Sequence, residues 1–289
     1  MPELTLHQGT IRYRDEGSGP TLFFVHGALV DGRLWEPVVD RLRDRFRCVV
    51  PDLPLGSHEL AMDPSADLSP HGLAALIGQV LDALDLRDVT LIGNDTGGAL
   101  CQLLVVAQPQ RVGRLVLTDC DAFSDFPPKA FKSLVAAARV PGALRAMLEP
   151  MRARRARRLP IAYGWLSKRP VPDDVMDGWC LPAINDRGVM ADLRKVTGGL
   201  DPNILLDNTP KLSSFDKPVL LAWSREDKFF KIEHAHRLAK IFPDARVEEL
   251  TDAYTFVSWD QPGRVAELIG AFAAGTPAPG PQPAGSVAA

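Results

Sequence analysis

The segment Gly93-Asn94-Asp95-Thr96-Gly97-Gly98 carries the clearest chemical signature in the chain. It follows an apolar run at 89–93 and opens a helical pattern at 97–108. A turn that passes directly from strand to helix pushes its central side chain outward. Glycines two positions before and after leave room for that strained backbone. A carboxylate presented there can serve as nucleophile or base, and the helix N-terminus favours its negative charge. The plainer alternative is an ordinary loop with Asp95 as a helix N-cap.

The surrounding pattern alternates strands with helices. Strands are expected at 10–14, 21–25, 47–50, 89–93, 115–117, 218–223 and 246–250, most of them short apolar runs of the kind buried on both faces. Helices are expected at 35–42, 73–84, 97–108, 234–241 and 262–272, the first two with an apolar stripe. The pattern breaks at 122–200, where Pro, Arg and Ala are common and the periodicity is helical, for example at 131–138 and 175–184. The fold class is therefore α/β: a mostly parallel, doubly wound sheet with a helical cap inserted after the sixth strand, over the carboxyl ends of the strands. The expected division is a core at 1–121, a cap at 122–200, a second core part at 201–274 and a disordered Pro/Ala/Gly tail at 275–289.

On the elbow and its flanking elements the chain resembles the α/β-hydrolase superfamily from about residue 10 to 273. Asp95 in place of serine makes it similar to the aspartate-nucleophile branch, the haloalkane dehalogenases and epoxide hydrolases. The resemblance implies attack by the carboxylate on a carbon bearing halide or epoxide oxygen, an alkyl ester, and release by histidine-activated water. It also implies oxyanion donors at the backbone of Ala28, in His26-Gly27-Ala28-Leu29, and of Thr96. The supporting acid corresponds to Asp227, in Ser224-Arg225-Glu226-Asp227-Lys228, with Asp119 at the end of the sixth strand as a second candidate and Asp121 beside it a weaker one.

The superfamily's histidine lies between the eighth strand and the last helix. The flanks match here, with Phe256-Val257 and then Asp260-Gln261-Pro262, but the histidine position reads Thr255, and no histidine follows His236. A hydroxyl is a poor base near neutral pH. Three readings stay open: a hydrolase with another base, a non-hydrolytic lyase, isomerase or cyclase using Asp95 as base, and a ligand-binding pseudoenzyme. His58, in the loop after the fourth strand, is a candidate for the site. His26 is expected to shape its loop, and His234 and His236 to be solvated or to support the site from behind.

The pocket is expected to include His26, Leu29, Phe123, Tyr163, Trp165, Thr255 and Phe256. The residue after Asp95 is Thr96, where haloalkane dehalogenases usually carry tryptophan, and Leu29 stands where epoxide hydrolases usually carry proline. The arginines at 152, 154, 155, 157 and 158 are expected to form a solvated helical face, with an anionic substrate or carrier as the alternative.

A net charge of −3 gives no electrostatic case for nucleic acid or an anionic membrane, and no apolar run reaches the ~20 residues of a membrane span. The N-terminus lacks a signal-peptide pattern, so the expected location is the cytoplasm. The four cysteines are scattered, without a CxxC pair, and are expected to be reduced and buried. Neither a phosphate loop nor a metal-ligand cluster occurs, so no cofactor and no metal are implied. The expected partner is a small-molecule substrate, and the sequence leaves a homodimer open.

Overall fold

A computed structural model describes residues 1–276. The tail expected at 275–289 lies, from residue 277 on, outside the described residues. The strands are β1 (Glu3–Leu6), β2 (Gly9–Glu16), β3 (Thr21–Val25), β4 (Arg47–Pro51), β5 (Val89–Asp95), β6 (Val112–Cys120), β7 (Val219–Ser224) and β8 (Ala245–Leu250). They form one sheet in the order β1-β2-β4-β3-β5-β6-β7-β8. β1 pairs antiparallel with β2 and β2 antiparallel with β4, and every other pair is parallel.

Alternate side chains of the buried strands feed two apolar layers. Phe23 and Val25 join one, with the helices Pro70–Ala83 and Thr96–Ala107; Leu22 and Phe24 join the other, with Glu36–Leu42 and Pro262–Ala273. Burial on both faces is why these strands read as unbroken apolar runs. β1 alternates exposed and half-buried residues over only 4 positions, too weak a pattern to be read from the sequence.

The segment between β6 and β7 is helical. Its own small core joins Ala137, Ala138, Leu144, Leu148, Ala183, Ile184, Val189 and Leu193. The helix expected at 175–184 is two, Asp173–Cys180 and Pro182–Asn185, because Pro182 has no N–H to continue the ladder. The helix Arg187–Gly198, capped by the Asp186 carboxylate on the N–H groups of Gly188 and Val189, was not expected. The following helix, Pro202–Asn208, is tied back to the sheet-packing helix by Asn208 Nδ2 donating to Gln102 O at 3.0 Å.

The insertion is fastened over the strand ends at several points. Tyr163 Oη donates to Leu29 O at 2.6 Å, and Trp179 Nε1 donates to Asp31 Oδ1 at 3.0 Å. Asp260, before the last helix, accepts from the backbone N–H groups of Lys168, Arg169 and Tyr254 and from the Ser167 hydroxyl. All four cysteines are buried and free. Among the described residues no helix is long and apolar enough to cross a membrane.

Candidate active site

β5 ends at Asp95, whose φ of 54° and ψ of −133° fall outside the regions that L-residues ordinarily occupy. Such backbone persists only where its surroundings hold it. Here the opening helix is pressed against the end of β3. A Cβ on Gly97 would strike the carbonyl oxygens of Val25 and His26. A Cβ on Gly27 would collide with the Asp95 carboxyl, including its Cγ at 2.7 Å. Both glycines are required by close approach, and together they seat the Asp95 side chain over the loop that follows β3.

Burial raises the Asp95 carboxyl. The Thr96 N–H and hydroxyl hold it down, and the nearby charge of Asp227 adds to the rise, which reaches about 7. Asp95 is thus about half ionised at neutral pH, a value matched to proton transfer as well as to attack.

Asp227, in the loop after β7, is fixed on both oxygens. Its Oδ1 accepts from the N–H groups of Phe229 (2.6 Å) and Phe230 (2.7 Å), and its Oδ2 accepts from the Thr255 hydroxyl at 2.6 Å. Burial lifts it to about 6 against the pull of those donors. Thr255 is fully buried, and its carbonyl accepts from Asn94 Nδ2 at 2.8 Å, which ties it to the residue before Asp95. Asn94 also reaches Thr118 Oγ1 and Asp119 O. Its position inside the elbow motif was visible; its role as a brace between the ends of β5 and β6 and the loop at Thr255 was not.

Asp119, the second acid candidate, does not meet Thr255. Its Oδ1 accepts from Ser224 N at 2.9 Å and joins the ends of β6 and β7, while its Oδ2 is buried without a protein partner. Asp121 lies nearer to Asp95, touches the Thr96 hydroxyl, and is raised well above the usual carboxylate range by burial and by Asp95.

His26 lies in the loop under Asp95, but its ring does not line an open pocket. The ring is fully buried, its Nε2 accepts from Leu53 N at 2.9 Å, and its Nδ1 pairs with Gly27 O at 2.9 Å. Burial lowers it to about 4, so it is neutral and fastens two loops. His58 does not join the carboxylates either. Its Nδ1 accepts from Gly56 N, and its Nε2 faces Asp192 Oδ2 at 3.2 Å, with both side chains buried. Asp192 lies 134 residues away in the cap, a pairing with no local signal. His234 packs edge-on against Phe123 and faces Asp125.

Ala28 and Leu29 are half-buried in the loop after β3, and Leu29 has a φ of 58°. Tyr163 stacks on Trp179 at 5.9 Å, and Phe256 lies edge-on to Trp179 at 5.6 Å, so these rings form one apolar wall. Trp179, which the expected pocket did not include, is the centre of this wall. Trp165 departs from the expected pocket: it is 46% exposed and rests against Phe229.

The arginine run is not uniformly solvated. Arg157 is buried and donates to Met151 O at 2.6 Å and Asp177 Oδ1 at 2.5 Å, while Arg154 pairs with Asp173 and Asp177. A cavity of about 620 Å³ on the seam of cap and core is lined by Leu68, Ser69, Ala138, Arg194 and Lys195; Asp95, Asp227 and Thr255 do not line it. Among the described residues no cluster of His, Cys, Asp and Glu could hold a metal ion.

The model of the alpha/beta hydrolase family matches residues 22–268. Haloalkane dehalogenase 2 of Mycobacterium tuberculosis is 29% identical over 285 residues, covering 91% of each chain. The cis-3-alkyl-4-alkyloxetan-2-one decarboxylase of Shewanella oneidensis is 23% identical, covering 93% of this chain and 86% of that one. The solved haloalkane dehalogenase DbeA from Bradyrhizobium elkani superposes with a TM-score of 0.77 at 20% identity, over 94% of this chain and 96% of that one. Because the family match runs from the second residue of β3 into the last helix, taking in elbow, cap and both acid loops, the chain belongs to the alpha/beta hydrolase family, as an enzyme similar to the haloalkane dehalogenases.

Proposed function

We propose that Asp95 is the nucleophile of a hydrolase-type enzyme acting on a small apolar electrophile, with haloalkanes and epoxides as the first classes to test. The observation that carries this is the seating of the Asp95 carboxyl: on a backbone of φ 54°, against Gly27, and hydrogen-bonded to Thr96. An Asp95 oxygen attacks the electrophilic carbon, the leaving group departs with its bonding pair, and an alkyl ester forms. When water attacks that ester, the oxyanion develops on an Asp95 oxygen itself. A backbone N–H already directed at the carboxyl therefore serves the transition state at little cost of reorganisation. The rings of Tyr163, Trp179 and Phe256 give the apolar surface such a substrate needs. The dehalogenase relative supports the same chemistry.

Incubation with 1-iodohexane and with 1,2-epoxyhexane, followed by peptide mass spectrometry, tests the reading. An alkyl adduct on Asp95 or release of the alcohol or diol product, either one absent in Asp95→Asn, is the expected result; wild-type protein that gives neither adduct nor product with both probes overturns it. Since the ionised carboxylate attacks, adduct formation should rise with pH through about 7.

A second reading has its own support. The Shewanella relative is named as a decarboxylase, and Thr255 supplies no imidazole to a water-dependent step. On that reading Asp95 acts as acid or base without an ester. Turnover of a carbon-acid or strained-ring substrate that is lost in Asp95→Asn, with no adduct in either protein, is its signature.

A further inference from the structure

We propose that Thr255 and Asp227 form a two-part proton relay that hydrolyses the Asp95 ester, taking the place of an imidazole base. The inference rests on the covalent reading above.

Three observations lead to it. First, a fully buried hydroxyl must donate to something, and Thr255 donates to Asp227 Oδ2 at 2.6 Å. The hydroxyl oxygen keeps lone pairs that can accept from water. Second, the receiving carboxylate cannot turn away, because two backbone N–H groups hold its other oxygen. Third, the three buried histidines are committed elsewhere: His26 to Leu53 and Gly27, His58 to Gly56 and Asp192, His234 beside Asp125.

Threonine alone is too weak a base to keep a proton. In a relay it keeps none. As water attacks Cγ of the esterified Asp95, its proton passes to Thr255 Oγ1 while the proton already on Oγ1 passes to Asp227 Oδ2. The tetrahedral oxyanion then collapses and expels the alkoxide. The proton returns from Asp227 through Thr255 to that alkoxide, which leaves as the alcohol. The new Asp95 carboxyl carries the oxygen and the second proton of water, loses that proton to solvent before the next attack, and both relay residues are restored. Asp227, lifted to about 6, is nearly as basic as imidazole, whose ordinary value is about 6.5. Thr255 meets the attacking water and is a catalytic residue in this scheme; Asp227 acts through it.

The test separates formation of the adduct from its release, using 1-iodohexane and 1,2-epoxyhexane with quenched mass spectrometry. Thr255→Val keeps the shape and removes the hydroxyl. Adduct formation should stay within about threefold of wild type and release should slow by about 100-fold or more, the usual range for losing a general base. Thr255→Ser should restore release to within about tenfold. Asp227→Asn, which can keep the bonds from Phe229 and Phe230, should form the adduct and hold it. Wild-type release should fall as pH drops below about 6. Release from Thr255→Val at the wild-type rate, or slowing that Thr255→Ser does not relieve, overturns the relay alone. Failure of the wild type to give either adduct or hydrolysed product, with no adduct trapped in Thr255→Val or Asp227→Asn, overturns the covalent reading and the relay with it.

Discussion

Replacing Asp95 by asparagine should make the protein more stable, and only at the pH where the carboxylate is charged. In the fold the carboxyl titrates near 7, against an ordinary value of 3.8. The unfolded chain therefore loses this proton first, and between those values the native state binds more protons than the unfolded one. Stability falls as pH rises through that window, the penalty being complete above pH 7 and absent below about 3.8. The rise corresponds to a ceiling of about 4 kcal/mol. Asp95 is only partly shielded from solvent, so about 2 kcal/mol is the expected gain at pH 8. For a chain of this size that raises Tm by roughly 5 °C. Asparagine keeps the shape of the side chain, so the comparison isolates charge. Urea unfolding of both proteins at pH 8 and pH 5 reads the effect, which at pH 5 should shrink to less than half. Asp95→Gly should gain about 1 kcal/mol more by releasing the backbone strain. A variant that is neutral or destabilised at pH 8, or a gain equal at both pH values, would refute the claim that burial of this charge is what lifts its pKa.

Gly27→Ala should push the Asp95 carboxyl aside, since the new Cβ would collide with it; adduct formation should drop by about 100-fold, with unfolding free energy changed by less than about 2 kcal/mol. Tyr163→Phe removes the donor to Leu29 O and should cost about 1 kcal/mol in urea unfolding, without altering the pH dependence of adduct formation. Arg157→Ala leaves Asp177 and the Met151 carbonyl without their buried donor and should cost about 2 kcal/mol; lysine, lacking the planar fork, should not restore it.

What could be read from the sequence follows from where information is local. β3 to β7 are apolar runs because both faces are covered, and the elbow shows because a strained turn needs glycines at fixed offsets. The Pro182 break needed only the steric rule for proline, yet apolar periodicity across 175–184 masked it. The choice between Asp119 and Asp227 needed geometry. Both carboxylates are deeply placed, and what separates them is one hydroxyl donor, from Thr255. The commitments of His58 to Asp192 and of Arg157 to Asp177 depend on how cap folds on core, which no window of sequence contains. Asp260 was noted only as part of a flanking pattern, whereas its carboxylate organises four donors around it.

That last arrangement gives position 255 an unusual independence. Its backbone carbonyl is held by Asn94, the next residue's N–H is bonded to Leu166 O, and the residue before it is held by Asp260. None of these bonds involves the side chain at 255. The loop is thus a socket whose frame is built by its neighbours, and the group it presents to Asp227 can be exchanged without rebuilding the frame. A lineage could change the chemistry at this loop by a single codon, keeping Asp95, Asp227 and the cap. The same socket is where a designer would first insert a different proton carrier, with smaller side chains tolerated best because the site is fully buried.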